Sequence, residues 1–165
     1  MPAGTRLEEL AFEAAHDHSA CVRDALSAAA VICEERGVRL TPVRRRVLEL
    51  VWSSHQAVKA YDLMAQMQGE MAQAAKPPTV YRALDFLMEH GLVHRVDSLN
   101  AYVGCPTPGR VHREQLLICT ECGAVGEMED PAVAIALGEA ASRAGFSVQR
   151  QTVELQGLCG ACRSA

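Results

Sequence analysis

Two Cys-x-x-Cys pairs, Cys119/Cys122 and Cys159/Cys162, lie in the last third of the chain. Four thiolates are a ligand set for a closed tetrahedral zinc site, and each short clip lets two sulfurs converge on one ion without strain. The clips sit in similar contexts, Cys119-Thr-Glu-Cys-Gly123 and Leu158-Cys-Gly-Ala-Cys162. Elsewhere such pairs serve as redox dithiols or form disulfides. A redox clip needs a helix N-terminus in a thioredoxin-like βαβ setting. Neither pair is expected to have one, so a structural zinc on Cys119, Cys122, Cys159 and Cys162 is the expectation.

The 165 residues suffice for one domain or two small ones. Hydrophobic residues make up 49% and charged residues 22%, the balance of an ordinary globular protein. Glu8 and Glu9 precede any apolar run, so no export signal is read. The run from Ala25 to Cys33 is too short to span a bilayer. No membrane partner is therefore expected. Seven cysteines without an export signal point to a reducing cytoplasm and metal ligation, not to a disulfide framework. A net charge of −4 argues against a uniformly basic nucleic-acid coat. Yet Arg36, Arg39, Arg44, Arg45 and Arg46 form a local stripe with no acid among them. That stripe is either a solvated surface or a phosphate-contacting one.

The elements that must position these groups are legible in part. Ala25 to Arg36 is Ala-rich and helical, and Gly37 stops it. Thr41-Pro42 opens a second helix, with Thr as N-cap and Pro at the first position. Val43, Val47, Leu48 and Val51 follow at helical spacing. A third helix covers Ala60 to Met71, with Leu63, Met64 and Met67 inward. A fourth begins at Pro77-Pro78-Thr79 and ends at Gly91. Period two then takes over. Leu92 to Val96 and Ala101 to Cys105 read as strands joined by a turn at Asp97 to Asn100. Helices followed by a two-stranded hairpin make a winged helix-turn-helix layout. Pro106 to Gly109 breaks the pattern. Beyond it come strands at Gln115 to Cys119 and Ala124 to Met128, a helix from Pro131 to Ala144 and a strand from Phe146 to Leu155. This unit is too small to bury enough core alone, so zinc and dimerisation must supply the rest. The fold class is therefore α+β: an N-terminal winged helix-turn-helix domain plus a C-terminal α/β dimerisation domain with structural zinc. The divisions are a weakly ordered extension at 1–21, the winged helix at 22–105, a hinge at 106–111, and the dimerisation and metal-binding domain at 112–165.

On the fourth helix, Val80, Ala83, Leu84, Leu87 and Met88 form one apolar stripe. Arg82, Asp85 and Glu89 fall opposite, with Thr79 and Tyr81 beside them. N-terminal residues of a recognition helix meet base edges. Arg82 suits guanine O6/N7, while Thr79 and the helix N-terminus suit phosphate. The plain alternative is an amphipathic core helix. Phe86 lies off the stripe, and Asp85 and Glu89 would repel phosphate unless paired.

The segments Arg39-Leu-Thr-Pro-Val-Arg44, Ala60-Tyr-Asp-Leu63, Lys76-Pro-Pro-Thr-Val-Tyr-Arg-Ala-Leu84 and Cys119-Thr-Glu-Cys-Gly123 closely resemble the ferric-uptake-regulator family of bacterial metal-responsive repressors. Lys76 to Phe86, Leu92-Val-His94 and Gly157-Leu-Cys-Gly-Ala-Cys162 resemble its zinc-uptake-regulator branch. The match runs over roughly residues 22 to 165 with the motifs in order. The resemblance implies a homodimer that binds double-stranded DNA operators. It implies that Tyr61 and Arg82 contact bases and that Arg39, Thr41 and Arg44 contact the DNA backbone.

A structural zinc bound by about 10–16 kcal/mol stays filled and cannot be a sensor. A second, exchangeable site is needed. The remaining ligand-type residues are His94, Cys105, His112 and Glu127, which come from both domains and bracket the hinge. They match the regulatory ligands that the zinc branch uses. Two imidazoles, a thiolate and a carboxylate suit Zn²⁺. Iron regulators are expected to use N and O ligands from a His-rich stretch, where this chain has only His112. Two zinc ions per subunit are thus expected. A short His-Asp-His-x-x-Cys run, His16, Asp17, His18 and Cys21, is either a further metal ligand group or a polar tail. Cys33 is expected in the core, and His55 and His90 as capping or solvated groups.

The expected function is a cytoplasmic zinc-responsive repressor whose loaded dimer binds palindromic operators of zinc-uptake genes. It is not expected to be an enzyme. The nearest alternative is the same family tuned to iron, manganese, nickel or peroxide. Remote ones are a thiol oxidoreductase and a zinc enzyme. His112-Arg113-Glu114 before Cys119-x-x-Cys122 superficially resembles a nucleobase-deaminase signature, but the gap is too short and no Pro precedes Cys119.

Overall fold

The computed structural model describes residues 18–109 and 115–164. Four helices come first: α1 (His18–Glu35), α2 (Pro42–Val51), α3 (Ala60–Met71) and α4 (Pro77–Glu89). Helix α1 begins earlier than the expected Ala25, because His18 to Arg23 continue the turn. Ala25, Leu26, Ala29, Ile32 and Cys33 form its buried face. It stops at Gly37, whose φ of 63° is a left-handed conformation costly for other residues. The N–H of Val38 donates to the Cys33 carbonyl at 2.9 Å and that of Gly37 to Glu34 at 3.1 Å, which satisfies the last carbonyls. Thr41 caps α2 as expected, its hydroxyl accepting from the Arg44 N–H at 3.4 Å. Gly91 closes α4 in the same manner as Gly37 closes α1, with Leu92 N–H donating to Leu87 at 2.8 Å.

Helix α4 packs on α2 and α3, and α1 packs on α2. Val47, Leu48, Val51, Leu63, Met67, Val80, Leu84 and Leu87 fill the space between them. The chain then enters the hairpin β1 (Val93–Val96) and β2 (Ala101–Gly104), antiparallel with Val93 opposite Gly104 and Val96 opposite Ala101. A 3₁₀ turn at Asp97–Leu99 and Asn100 at φ 47° reverse the chain. Val58 adds a bridge to Tyr102, with both backbone hydrogen bonds at 2.8 Å. Helices followed by this hairpin are the winged helix-turn-helix expected from the sequence.

The second unit is a three-stranded sheet in the order β4-β3-β5. Strands β3 (Gln115–Cys119) and β4 (Val125–Met128) are antiparallel. After helix α5 (Pro131–Arg143), β5 (Val153–Gly157) returns parallel to β3, and the short helix α6 (Gly160–Arg163) follows. The strand expected from Phe146 to Leu155 is corrected here. Phe146 to Thr152 form no strand, and pairing runs from Val153 to Gly157, because β5 must lie in register beside the five residues of β3.

The two units share an apolar seam. Val96 and Val103 of the hairpin pack in one buried cluster with Leu116, Ile118 and Val125. The N–H of Val125 donates to the His55 carbonyl at 2.9 Å, and Gln56 Nε2 to the Cys122 carbonyl at 2.7 Å. At the hairpin tip, the Glu154 carboxylate accepts from the backbone N–H groups of Asp97 and Ser98. Burial works against its charge, but donors from Ser98 and Asp97 outweigh that and hold its carboxyl below the usual glutamate range.

The junction leaves no space at Gly104. A Cβ there would overlap the indole ring of Trp52. Gly104→Ala should cost about 1–3 kcal/mol, as overpacking does. A denaturant midpoint equal to that of the parent would contradict this packing.

Candidate metal centres and nucleic-acid interface

Both Cys-x-x-Cys clips arrive at one end of the C-terminal sheet. Cys119 is the last residue of β3 and pairs across to Gly157, the last of β5. Cys122 follows a tight turn in which Gly123, at φ 74°, donates to the Cys119 carbonyl at 3.0 Å. Cys159 caps α6 and Cys162 lies within it. All four sulfurs lie within 4.8 Å of one another, with Cys122 and Cys159 3.9 Å apart. Thiolates about 2.3 Å from a tetrahedral ion lie about 3.8 Å apart, so the donor set fits zinc. Cys159 does stand at a helix N-terminus, against expectation, but its sulfur joins three others instead of a βαβ redox pair.

The electrostatics agree with that fit. Backbone N–H groups of Cys122 and Cys159 stabilise the Cys119 thiolate and lower its pKa to about 6. Neighbouring Cys159, with burial, raises Cys162 to about 12. Cys119 thus ionises readily, while Cys122 and Cys162 resist. A dication is what lets all four deprotonate together.

A second cluster lies behind the hairpin. His94 sits on β1 opposite Val103, Cys105 directly follows β2 with its N–H donating to Leu92 at 3.1 Å, and Glu127 sits on β4 opposite Leu116. Their ligand atoms lie within 4.8 Å of one another, and His94 Nε2 is 3.1 Å from Glu127 Oε2. All three are buried. A carboxylate and an imidazole in such a place must be paired or bound to a cation. Burial pushes the His94 pKa down, but Cys105 and Glu127 outweigh it and raise it to about 10. A metal held by these three groups would supply the positive charge that the imidazole proton supplies here. The sequence brought His94, Cys105 and Glu127 forward and the fold brings them together. His112 lies outside the described residues.

A third group was not anticipated as a set. His18, Cys21 and His55 also place ligand atoms within 4.8 Å of one another. His16 and Asp17, which preceded them in the sequence argument, lie outside the described residues. His55 was expected to be a capping or solvated residue, and no local pattern linked it to α1. His90 is the C-cap of α4, as expected, and Arg36 holds it there, its guanidinium donating to the His90 carbonyl at 3.1 Å.

The helical face expected to read DNA is open. Tyr61 is 77% exposed at the start of α3, and Tyr81 is 45% exposed on α4. Arg82 and Arg39 are exposed, and Thr79 and Thr41 are half-buried. Arg44 is partly committed. Its guanidinium lies 3.5 Å over the Phe86 ring and donates to the Arg39 carbonyl at 2.6 Å. This also explains Phe86, which is buried beneath Arg44 and beside His90. The arginine stripe is partly neutralised. Arg46 bonds Glu49 at 3.2 Å and Glu70 at 2.9 Å, and Arg45 lies 3.5 Å from Glu49. Among the described residues, no helix is long and apolar enough to cross a membrane.

A winged helix joined to a small sheet, with clusters of cysteine, histidine and glutamate at the seam and the far end, defines a ligand-rich winged-helix protein. The chain belongs to the ferric uptake regulator family, whose model matches residues 35–156. It is 43% identical over 145 residues to the zinc uptake regulation protein of Escherichia coli (strain K12), covering 85% of this chain and 82% of that protein. A zinc uptake regulator complexed with zinc and DNA superposes with a TM-score of 0.80 at 42% identity, covering 87% of this chain and 95% of that one. The holo form of XcZur superposes with a TM-score of 0.75 at 43% identity, over 90% and 100% of the two chains.

Four sulfurs held between β3 and α6 lead to one expected outcome. Cys119→Ser should lose one bound ion per chain and melt well below the parent, since structural zinc binding is worth about 10–16 kcal/mol. Elemental analysis and calorimetry check it. A normal melting curve would show that these sulfurs do not hold the unit together.

Proposed function

We propose that this protein is a zinc-responsive transcriptional repressor, whose zinc-loaded homodimer binds palindromic operators of zinc-uptake genes. The observation that carries the reading is the buried group of His94, Cys105 and Glu127, drawn from both sides of the seam behind the DNA-reading helices. The zinc uptake regulation proteins to which the chain is similar support the choice of metal and of target genes.

The reading assigns two zinc ions to each subunit. Cys119, Cys122, Cys159 and Cys162 hold the structural one, and His94, Cys105, His112 and Glu127 the regulatory one. Bound there, zinc supplies a dication that offsets the thiolate and carboxylate and ties hairpin to sheet. His94 and Cys105 belong to the hairpin side, and Glu127 to the sheet. Joining them fixes the angle across the hinge at 106–111, between the winged helix at 22–105 and the metal-binding domain at 112–165. To move a subunit from 1:99 to 99:1 in favour of the closed form takes about 5.5 kcal/mol of differential binding.

Dimerisation is supported by the C-terminal surface. Ile135, Leu137, Phe146, Leu155 and Leu158 are between 45% and 66% exposed, and α5 buries only Ala134 among its described side chains. Such a surface needs a partner. Two reading heads then meet half-sites about one helical turn apart. Tyr61 and Arg82 face bases; Arg39, Thr41, Thr79, Tyr81 and Arg44 line the phosphate side. The protein acts in the cytoplasm, where DNA is, and the reading assigns it no catalytic step.

Cys105→Ser should leave a folded dimer that keeps its structural zinc yet no longer responds to added zinc in DNA binding. A gel-shift or anisotropy titration against free Zn²⁺, Fe²⁺ and Mn²⁺ tests this, and a normal zinc response of the variant would sink the assignment. Arg82→Ala should remove about 1–3 kcal/mol of discrimination at one base pair. If operator and scrambled DNA lose affinity equally, Arg82 is a phosphate contact instead.

A further inference from the structure

We propose that His18, Cys21 and His55 form a third metal site, which takes one exchangeable zinc ion and clamps the start of α1 to the seam between the two units. His18 and Cys21 stand three residues apart, so they share one face of α1. His55 approaches that face from the segment after α2. The His18 and His55 rings lie 4.9 Å apart, and the three ligand atoms lie within 4.8 Å of one another. Two imidazoles and one thiolate make a borderline-soft N₂S set that suits Zn²⁺. Three protein ligands with an open fourth position characterise exchangeable or reactive zinc, unlike the closed four-sulfur type. The open side is at hand. A cavity of about 330 Å³ is lined by Cys21 and His55 together with Asp24, Cys105 and Glu127. The three residues are half-buried, so the ion can come and go.

His55 makes the site more than a local staple. Its carbonyl accepts from Val125 on β4, and the adjacent Gln56 bonds the Cys122 carbonyl of the four-sulfur clip. Trp52, edge-on to the His55 ring at 6.3 Å, occupies the space beside Gly104 and thus lies next to Cys105. An ion on His18, Cys21 and His55 therefore links α1 to the segment that already ties the winged helix to the sheet. Its occupancy would stiffen the same seam that His94, Cys105 and Glu127 span.

The site is tested on the full chain by native mass spectrometry at saturating Zn²⁺. The parent should hold three ions per chain, Cys21→Ser two, Cys105→Ser two, and the double variant one. With Co²⁺ in the Cys105→Ser chain carrying its structural zinc, a thiolate-to-cobalt absorption band should appear and vanish when Cys21→Ser is added. His55→Ala should weaken the same ion by at least about tenfold. Zinc should also slow amide exchange over residues 18–24 in the parent and not in Cys21→Ser. Equal ion counts for parent and Cys21→Ser, or a cobalt band indifferent to Cys21, overturns the proposal. The count in Cys105→Ser reports separately on the regulatory site, so the two readings fail independently.

Discussion

The structure turns on one burial problem. An imidazole, a thiol and a carboxylate sit together in the seam between hairpin and sheet, next to an apolar cluster of Val96, Val103, Leu116, Ile118 and Val125. Without a cation, the His94 proton and the Glu127 charge satisfy each other at 3.1 Å. A cation held there would take over the role of that proton and offset the thiolate and carboxylate. Either arrangement avoids an uncompensated charge, which would be costly in so dry a place. The seam is thus closed by apolar packing and decided by what occupies its polar edge. A change of occupant at this edge requires only a choice of partner for three side chains.

The rest of the molecule holds that edge in place. Tyr102 and Val58 bond each other's backbones, Trp52 lies against Gly104, and Glu154 clasps the turn from Asp97 to Ser98. The four-sulfur cluster sits at the end of β3 and β5 where Cys119 pairs with Gly157. Gln56 joins that cluster to the winged helix through the Cys122 carbonyl. The two ligand clusters therefore occupy different residues and share one backbone frame.

Much of this was legible in the chain. Caps and stops at Thr41, Gly37 and Gly91 mark helix ends through local chemistry alone, and they stand where expected. The β-branched run through Leu92 to Cys105, broken by the turn at Asp97 to Asn100, reveals the hairpin, and both of its faces are covered: Val93 joins the helical core and Val103 the seam. Long-range packing was not legible. Phe86 looked out of place until Arg44, from another helix, was seen lying across it. The arginine stripe looked like a block of free charge, but Glu49 and Glu70 engage two of its members. Strand β5 was drawn too early because its limits come from its partner β3, not from its own residues. The grouping of His18 and Cys21 with His55 had no local signal at all, for it depends on how α1 lies across the loop after α2.

The hairpin register has a further implication. His94 stands opposite Val103 and Cys105 lies just past the end of β2, so both reach the seam only with this pairing. Side chains alternate faces along a strand, and a slip of one residue would turn the imidazole to the face of Val93 and Tyr102, against the helical core and away from the thiol. Asn100, in the left-handed conformation at the reversal, sets that count. The length of the wing's tip is consequently under the same constraint as the ligands themselves. A tip longer or shorter by one residue would have to be compensated within a strand, or His94 and Cys105 would no longer share the seam with Glu127.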